Sequence, residues 1–298
     1  FLVTNSRTDS WHVYWHKRPE QKYLMLWHGG AALKQVERDV EDRLGYGYVK
    51  KAKRDSRMCD LMISGCRANT ELIRRSFWYS GEILEQGIPR NDMFFKKELH
   101  HSVRQNINRQ YGIAPDSRIV LYAPTFRHSG SIEPYRIDWH AVVPRLEKMF
   151  GGDSVTIFLR LHPNLIGKAD TRPLMNHPSV VDMTRYHDMQ ELLCISDMLI
   201  TDYSSSMFDY AMLRRPCLLY ATDVEEYDRG YYYNFNELPF PLARNVEQLV
   251  AIIDEFDSEK YKSDLDAFLQ NRLGLMERGV AAKALAEWMM SHSIASPK

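Results

Sequence analysis

The sequence predicts an α/β protein of two Rossmann-like domains, each a parallel sheet covered by helices, with a ligand cleft between them. Three observations carry this. Short runs rich in Val, Ile and Leu alternate with longer stretches of helical periodicity, the pattern of repeated β-α-β units. The runs are apolar throughout, as strands buried on both faces are. The alternation then starts afresh after Gly112 and Pro115, a helix stop followed by a turn. An N-terminal domain is therefore expected over 1–113 and a C-terminal domain over 114–298, each of ordinary size.

The elements follow in order. FLVTN reads as a strand and its exit; because the chain opens at Phe1 without Met, upstream sequence is expected to be missing and the first domain incomplete. YLMLW (23–27) is a strand that breaks at Gly29 and Gly30, with a helix expected beyond. LMISG (61–65) is another strand, followed by a helix over about 69–79 with Asn69 or Thr70 as its cap. EILEQG (82–87) is a strand, IPRND a turn, and 95–111 a polar helix. The second set comprises strands at 118–124, 155–163, 179–183, 198–203 and 216–221. Helices are expected over 138–149, 187–195 and 204–213, and from about 246 to the end.

Composition narrows the function. Lys plus Arg and Asp plus Glu number 39 each, so the overall charge of a nucleic-acid-binding protein is absent. Cys59, Cys66, Cys194 and Cys217 have neither metal-ligand spacing nor the density of a disulfide framework. Cys194 and Cys217 lie in apolar runs, where reduced, buried thiols fit a cytoplasmic location. No run approaches the ~18 apolar residues of a spanning helix, and no signal-peptide pattern is present.

Four segments carry chemistry. In ITDYSSSMFDYAMLRRP (200–216), Asp202 ends a strand and Ser204, Ser205 and Ser206 open a helix. Unpaired backbone N–H groups, the dipole and the hydroxyls together suit a phosphate; a single serine there would serve as an ordinary cap. Asp209 on the same helix either orients a ligand or forms an internal ion pair. In FLRLHPN (158–164), strand alternation puts Arg160 and His162 on one face. A cation beside an imidazole suits a developing phosphate charge; a structural donor at a capped strand end is the plainer alternative. In LWHGGAALK (26–34), His28 follows a strand and precedes glycines that permit close approach. An imidazole there can take a proton from an alcohol near neutral pH, and Lys34 either meets an anion or faces water. In YAPTFRHSG (122–130), Thr125, Arg127 and His128 leave a strand end, and Arg127 either grips a phosphate with two bonds or sits on the surface without a ligand. A fifth segment, VKKAKRDSR (49–57), sets Lys50, Lys51, Lys53, Arg54 and Arg57 against Asp55 alone. It is either a solvated helix face or a landing site for a polyanion or an anionic membrane.

Taken in order, WHGGAALK, SGCRANTELIRRSFWYSGEILEQGIPRND, VLYAPTFR, LRLHP and ELLCISDMLITDYSSSMFDYAMLRRPCLLYATDVEEYDRGYYYNF resemble the CDP-glycerol glycerophosphotransferase family, the teichoic acid polymerases and their capsule-making relatives. The resemblance spans residues 27–235. It implies a GT-B-like fold whose C-terminal domain holds most of the nucleotide donor. It also implies transfer of glycerol phosphate, or another alditol phosphate, from CDP-glycerol to a hydroxyl of a teichoic-acid-like or capsular polymer, with release of CMP. By the same resemblance His28 is the base, and His162 stabilises the phosphate or the leaving group. Asp202, Ser204 and Ser205 lie near the diphosphate, and Arg127 belongs to an APT-x-R motif with Thr125. Thr125, Arg160, Ser206 and Asp209 complete the expected donor side; Lys34, Arg90 and Asn91 are the acceptor-side candidates. Two departures, Gly30 where the family has threonine and His128-Ser129 where acidic residues are common, bear on donor or acceptor identity. No metal is assigned, although an Mg²⁺ ion shared with the diphosphate stays open. The expected partners are a CDP-alditol, a polyanionic or lipid-linked glycan acceptor and, peripherally, the cytoplasmic membrane face; nucleic acid is not among them. The rival readings are a glycosyltransferase of the same architecture and a non-catalytic polymer-binding module.

Overall fold

A computed structural model describes residues 1–7, 17–127, 131–165, 170–224 and 230–293. The chain divides into two units. The first comprises Phe1–Phe95, Gly230–Tyr232 and Leu269–Lys298; the second comprises Lys96–Arg229 and Tyr233–Phe268.

The first unit is built on four parallel strands, β1 (Leu2–Thr4), β2 (Tyr23–Met25), β3 (Leu61–Ile63) and β4 (Glu82–Leu84), in that spatial order. Every residue of β2 and β3 is buried, which is why neither alternates polar with apolar. The faces still separate by the two-residue period. Tyr23, Met25 and Met62 pack against Leu72, Ile73 and Phe77 from α2 (Arg67–Ser76) and its end. Leu24, Leu61 and Ile63 pack against Leu285 and Trp288 of α9 (Ala281–Ser291). Between β2 and α2 lies α1 (Tyr46–Met58).

The second unit carries six parallel strands: β5 (Arg118–Tyr122), β6 (Val155–Leu159), β7 (Val180–Asp182), β8 (Met198–Thr201), β9 (Cys217–Tyr220) and β10 (Leu242–Ala243). Their order is β10-β9-β8-β5-β6-β7. The unit's first strand is therefore central, and strand order reverses between β5 and β8, the arrangement of a doubly wound dinucleotide-binding sheet. Its helices are α3 (Lys97–Tyr111), α4 (Trp139–Met149), α5 (Met189–Ile195), α6 (Ser206–Tyr210), α7 (Val246–Asp254) and α8 (Ser258–Ala267). Val120, Tyr122, Ile157 and Leu159 form its core with Trp139, Val142 and Leu146 of α4.

The division differs from the expected one in two places, each with a physical cause. The break falls between Phe95 and Lys96 because α3 packs on the second unit. Arg104 of α3 donates to the Ile195 carbonyl at 3.2 Å and the Ser117 carbonyl at 2.5 Å, and pairs with Asp197 at 3.2 Å. Gly112, at φ 67°, ends α3 as its sequence position predicts. The C-terminal segment, expected with the second domain, returns to the first unit. Asp92 accepts the Ala281 and Ala282 amides at 2.9 and 2.8 Å and so caps α9 from elsewhere in the chain. Buried Glu277 accepts from the Ile88 amide at 3.1 Å and from Asn91 Nδ2 at 3.1 Å. A Cβ on Gly65 or Gly87 would lie 2.3 Å from a Glu277 carboxylate oxygen, so only glycine admits this return.

Four local expectations are corrected. No α-helix follows Gly30 directly: a 3-10 turn spans Glu37–Arg43 before α1 begins. α2 starts after Cys66, so Asn69 and Thr70 are buried inside its first turn, where Thr70 Oγ1 donates to the Cys66 carbonyl at 3.4 Å. The helix expected over 204–213 is the five-residue α6 continued by a 3-10 turn at Ala211–Leu213. Strand β6 stops at Leu159, leaving Arg160 and His162 just beyond its end. Among the described residues, no helix is long and apolar enough to cross a membrane.

Candidate active site

In doubly wound sheets, ligands bind beyond the strand carboxyl ends where the order reverses. In the second unit that point lies between the loops leaving β5 and β8, which carry Ala123 to Arg127 and Asp202 to Ser206. Asp202, 1% exposed, joins the two loops. Its carboxylate accepts the Thr125 amide at 2.8 and 3.0 Å and the Tyr203 amide at 2.6 Å, and pairs with Arg127 Nη1 at 2.8 Å. Arg127 also grips Asp223, in the loop after β9, through Nε at 2.7 Å and Nη2 at 3.0 Å. Its guanidinium lies 4.8 Å from the Tyr203 ring centroid and 5.6 Å from that of Tyr135. The Tyr203 hydroxyl donates to Asp223 at 3.0 Å. Burial works against the guanidinium charge, but the Asp223 and Asp202 carboxylates outweigh it and raise the Arg127 pKa. Burial likewise opposes the Asp223 charge, and bonding to Arg127 overcomes it, lowering that pKa. The two-bonded grip expected of Arg127 on a phosphate is thus made here on Asp223, and the network stitches three strand-end loops into a rigid ledge.

Beside that ledge stand Ser204, Ser205 and Ser206, all half-buried. The Ser204 and Ser206 hydroxyls bond each other at 2.9 Å, and the Ser206 amide donates to Ser204 Oγ at 3.3 Å. Asp209 is buried on the next turn.

Arg160 and His162 leave the same strand end for different tasks. Arg160 Nη1 donates to the carbonyls of Met183 at 2.8 Å, Thr184 at 3.0 Å and Tyr186. It therefore holds the turn that follows β7, and burial lowers its pKa. His162 is exposed, and its Nδ1 accepts the Asn164 amide at 3.1 Å. That bond fixes the proton of the neutral ring on Nε2, making it a donor. Packing, with Phe126 5.6 Å away between ring centroids, and the charge of Arg160 lower its pKa, keeping the ring neutral near pH 7.

In the first unit, His28 lies just past the end of β2, with its ring centroid 4.2 Å from that of Trp27. Trp27 itself adopts φ 55°, a conformation rare for a bulky residue. His28 Nδ1 lies 3.4 Å from the Asn5 carbonyl. A carbonyl only accepts, so Nδ1 carries the proton and Nε2 keeps its lone pair. Desolvation lowers the His28 pKa despite this bond, and the charge of Arg90 adds to the lowering. Both effects favour the neutral ring. Of the acceptor-side candidates, Arg90 is half-buried and within electrostatic reach of His28. Lys34 is half-buried and bridged through its backbone to Tyr231. Asn91 is fully buried against Glu277; its observed work is structural.

The basic run on α1 is partly consumed internally. Lys53 pairs with Glu41 at 2.6 Å, and buried Asp55 pairs with Arg7 at 2.8 Å. Lys50, Lys51 and Arg57 are exposed, as is Tyr46 at 83%. His128 and Ser129 lie outside the described residues. Among the described residues, no group of three or more His, Cys, Asp or Glu side chains is placed to hold a metal ion. Sequence reasoning missed Asp223, Tyr203 and Tyr135. Asp223 had a signal, since it follows β9 much as Asp202 follows β8; the tyrosines had none.

Comparison with known proteins adds a family-wide view. Residues 1–283 match the model of a family described as CDP-glycerol:poly(glycerophosphate) glycerophosphotransferase. The chain is 32% identical over 299 aligned positions to a teichoic acid poly(glycerol phosphate) polymerase of Staphylococcus epidermidis, covering 96% of this chain and 40% of that one. It is 31% identical to a teichoic acid glycerol-phosphate transferase of Staphylococcus aureus, covering 96% of this chain and 74% of the relative. Among solved structures, the wall teichoic acid polymerase TagF superposes with a TM-score of 0.80 at 31% identity, over 96% of this chain and 71% of that one.

Proposed function

The chain belongs to the CDP-glycerol:poly(glycerophosphate) glycerophosphotransferase family, and from that premise we propose that it transfers glycerol phosphate from CDP-glycerol to a hydroxyl of a teichoic-acid-like polymer, releasing CMP. The observation that carries the reading is the state of His28, a neutral imidazole whose Nδ1 proton is committed to the Asn5 carbonyl. Such a ring offers Nε2 to an alcohol proton.

The acceptor oxygen attacks the phosphorus that bears the glycerol. A new P–O bond forms, the bond from that phosphorus to the oxygen of CMP breaks, and His28 Nε2 takes the hydroxyl proton. Little covalent work falls to the protein, so positioning and charge stabilisation dominate. The donor's phosphates lie at the ledge built by Asp202, Arg127 and Asp223, where Ser204, Ser205 and Ser206 offer hydroxyl and amide donors. His162, neutral with its proton on Nε2, donates to a phosphate or leaving-group oxygen. Arg160 acts by holding the turn after β7.

The exposed Lys50, Lys51 and Arg57 of α1, with Tyr46 at its start, attract a polyanionic or lipid-linked acceptor and attach the protein peripherally to the cytoplasmic membrane face. Replacing these three cations with Gln is expected to weaken sedimentation with anionic vesicles and to reduce their salt-sensitive capture. Unchanged sedimentation contradicts the attachment. The donor reading is tested by incubating the protein with CDP-glycerol, CDP-ribitol and a panel of nucleotide sugars. CMP release from CDP-glycerol supports it; consumption of a nucleotide sugar instead supports the glycosyltransferase reading.

A further inference from the structure

We propose that Arg7 is a positioning residue for His28: it fixes the loop whose carbonyl holds the imidazole proton on Nδ1, and the rings on which the imidazole rests. The inference rests on the reading of His28 as the base and adds the residue that sets its state.

His28 is exposed, and two contacts orient its ring: the Asn5 carbonyl, 3.4 Å from Nδ1, and the Trp27 ring, 4.2 Å away between centroids. At 3.4 Å the bond is near the limit of hydrogen-bonding distance, so a small displacement of the carbonyl ends it. Asn5 and Ser6 are exposed, and the carbonyl takes its position from the anchors on either side. On one side the Thr4 carbonyl accepts the Leu26 amide at 2.7 Å. On the other is Arg7, whose side chain is 6% exposed. Its Nη1 donates to Asp55 at 2.8 Å, to Ser56 Oγ at 2.8 Å and to the Ala52 carbonyl at 3.2 Å, and its Nη2 donates to Glu37 at 3.0 Å. Ala52, Asp55 and Ser56 share one face of α1 through their three- and four-residue spacing. Asp55 also accepts the Tyr23 hydroxyl at 2.9 Å, so the same carboxylate ties Arg7 to β2, the strand that leads to His28.

The second contact is reached through rings. The Arg7 guanidinium lies 5.6 Å from the centroid of the Phe77 ring, which meets Trp27 edge-on at 4.9 Å and 87°. Phe77 is 1% exposed, and its carbonyl accepts the Ser56 hydroxyl at 2.5 Å. Trp27, at φ 55°, holds a conformation that is costly for a bulky residue and persists only where the surroundings over-determine it. Arg7 thus bears on both contacts of His28. Stability alone does not call for a cation here, since a buried ion pair is often replaced by apolar side chains without loss. What a guanidinium adds is a planar fork of directional donors, which fixes the main chain around it. With the Asn5 carbonyl displaced, the imidazole proton is no longer held on Nδ1. The tautomer protonated on Nε2, which cannot accept from an alcohol, is then populated.

The test labels the protein with ¹⁵N at histidine and reads the His28 ring nitrogens, identified by their loss in His28→Ala. CMP release and CDP-glycerol binding by calorimetry are measured alongside. Arg7→Lys keeps a cation between the carboxylates but replaces the fork with a point donor. Arg7→Met combined with Glu37→Gln and Asp55→Asn removes the buried charges together and strands none. Wild type is expected to carry the proton on Nδ1. The triple variant is expected to show Nε2–H as well and to release CMP about ten- to a hundredfold more slowly, with CDP-glycerol affinity within about threefold of wild type. R7K is expected to fall between, and decides alone if the triple variant does not fold. Asp92→Ala, weakened at the distant α9 cap, is expected to keep the wild-type tautomer and turnover within about threefold, which separates positioning from loss of stability. A folded Arg7 variant with the wild-type tautomer overturns the assignment, whatever its turnover, because a merely structural role leaves the ring's protonation site unchanged. A shifted tautomer in D92A overturns it too. Wild-type His28 protonated on Nε2 refutes the reading of His28 as the base, and the assignment with it. Wild type that releases no CMP refutes the proposed reaction, while the tautomer comparison still decides the role of Arg7.

Discussion

Replacing Arg127 with methionine should be among the most damaging single changes in the second unit, and the reason is a surplus of negative charge. The guanidinium side chain is 6% exposed and answers Asp202, whose side chain is 1% exposed, at 2.8 Å, and Asp223, 17% exposed, at 2.7 Å. Methionine fills much of the same volume but leaves two carboxylates without their cation. Breaking a buried pair by removing one partner costs about 3–5 kcal/mol, and the second carboxylate places R127M toward the upper end. The pH dependence should also change sign. In wild type the Asp223 pKa is lowered on folding, so its contribution is fully present above the unfolded value of about 3.9. That contribution is lost only as pH falls through the lower, folded value. In R127M, burial without a cation raises the Asp223 pKa. The variant should therefore gain stability relative to wild type as pH is lowered from 7.5 to 5. Urea unfolding at those two pH values reads both effects. R127M within about 1 kcal/mol of wild type, with parallel pH dependence, would show that Arg127 does not hold the two carboxylates. Adding Asp202→Asn and Asp223→Asn to R127M should recover part of the loss, since the stranded charges disappear.

Other predictions address single atoms. His28→Ala should lower turnover about 10²–10⁴-fold while CDP-glycerol affinity stays within a few-fold. Because the His28 pKa is lowered, the acid limb of wild-type kcat/KM should fall below the ordinary imidazole value of about 6.5; a limb at pH 7.5 would exclude His28 as the base. His162→Ala should lose turnover without losing stability, being exposed, whereas Arg160→Ala should lower the unfolding temperature because three carbonyls lose their donor. The opposite ranking in a thermal melt would reverse these roles. Asp92→Ala should destabilise the protein by about 0.5–2 kcal/mol through loss of the α9 cap, with hydrogen exchange rising at Ala281 and Ala282; unchanged exchange would contradict it.

What the sequence reveals follows the range of the forces involved. β3 and β8 are legible because every residue in them is buried, leaving an apolar run bounded by polar residues. Gly112 is legible because a left-handed helix end selects glycine. His28 and Ser204 are legible as loop positions just past strand ends, where the structure places them. Arg127 is half legible: its residue type marks anion recognition, but nothing nearby shows that Asp223, 96 positions later, is the anion. The same limit hides the docking of the C-terminal segment. Asn91, an acceptor-side candidate, and Asp92 sit in the IPRND turn, yet Glu277 and the start of α9 occupy them. The basic run on α1 is answered in part in the same way, since Lys53 and Asp55 spend their charges on Glu41 and Arg7. In each case a polar side chain in a loop or on a helix is answered by a residue far away in sequence, which local pattern does not encode.

Attack at phosphorus is read out by the nucleotide that the reaction releases. The protein is incubated with CDP-glycerol and a short glycerol phosphate oligomer, and the nucleotide products are resolved from one another while ³¹P spectra follow the polymer. Attack at phosphorus requires one CMP for each new phosphodiester, with loss of both signals in His28→Ala. Release of CDP, which marks attack at the glycerol carbon, or release of CMP without a new phosphodiester, would contradict the account.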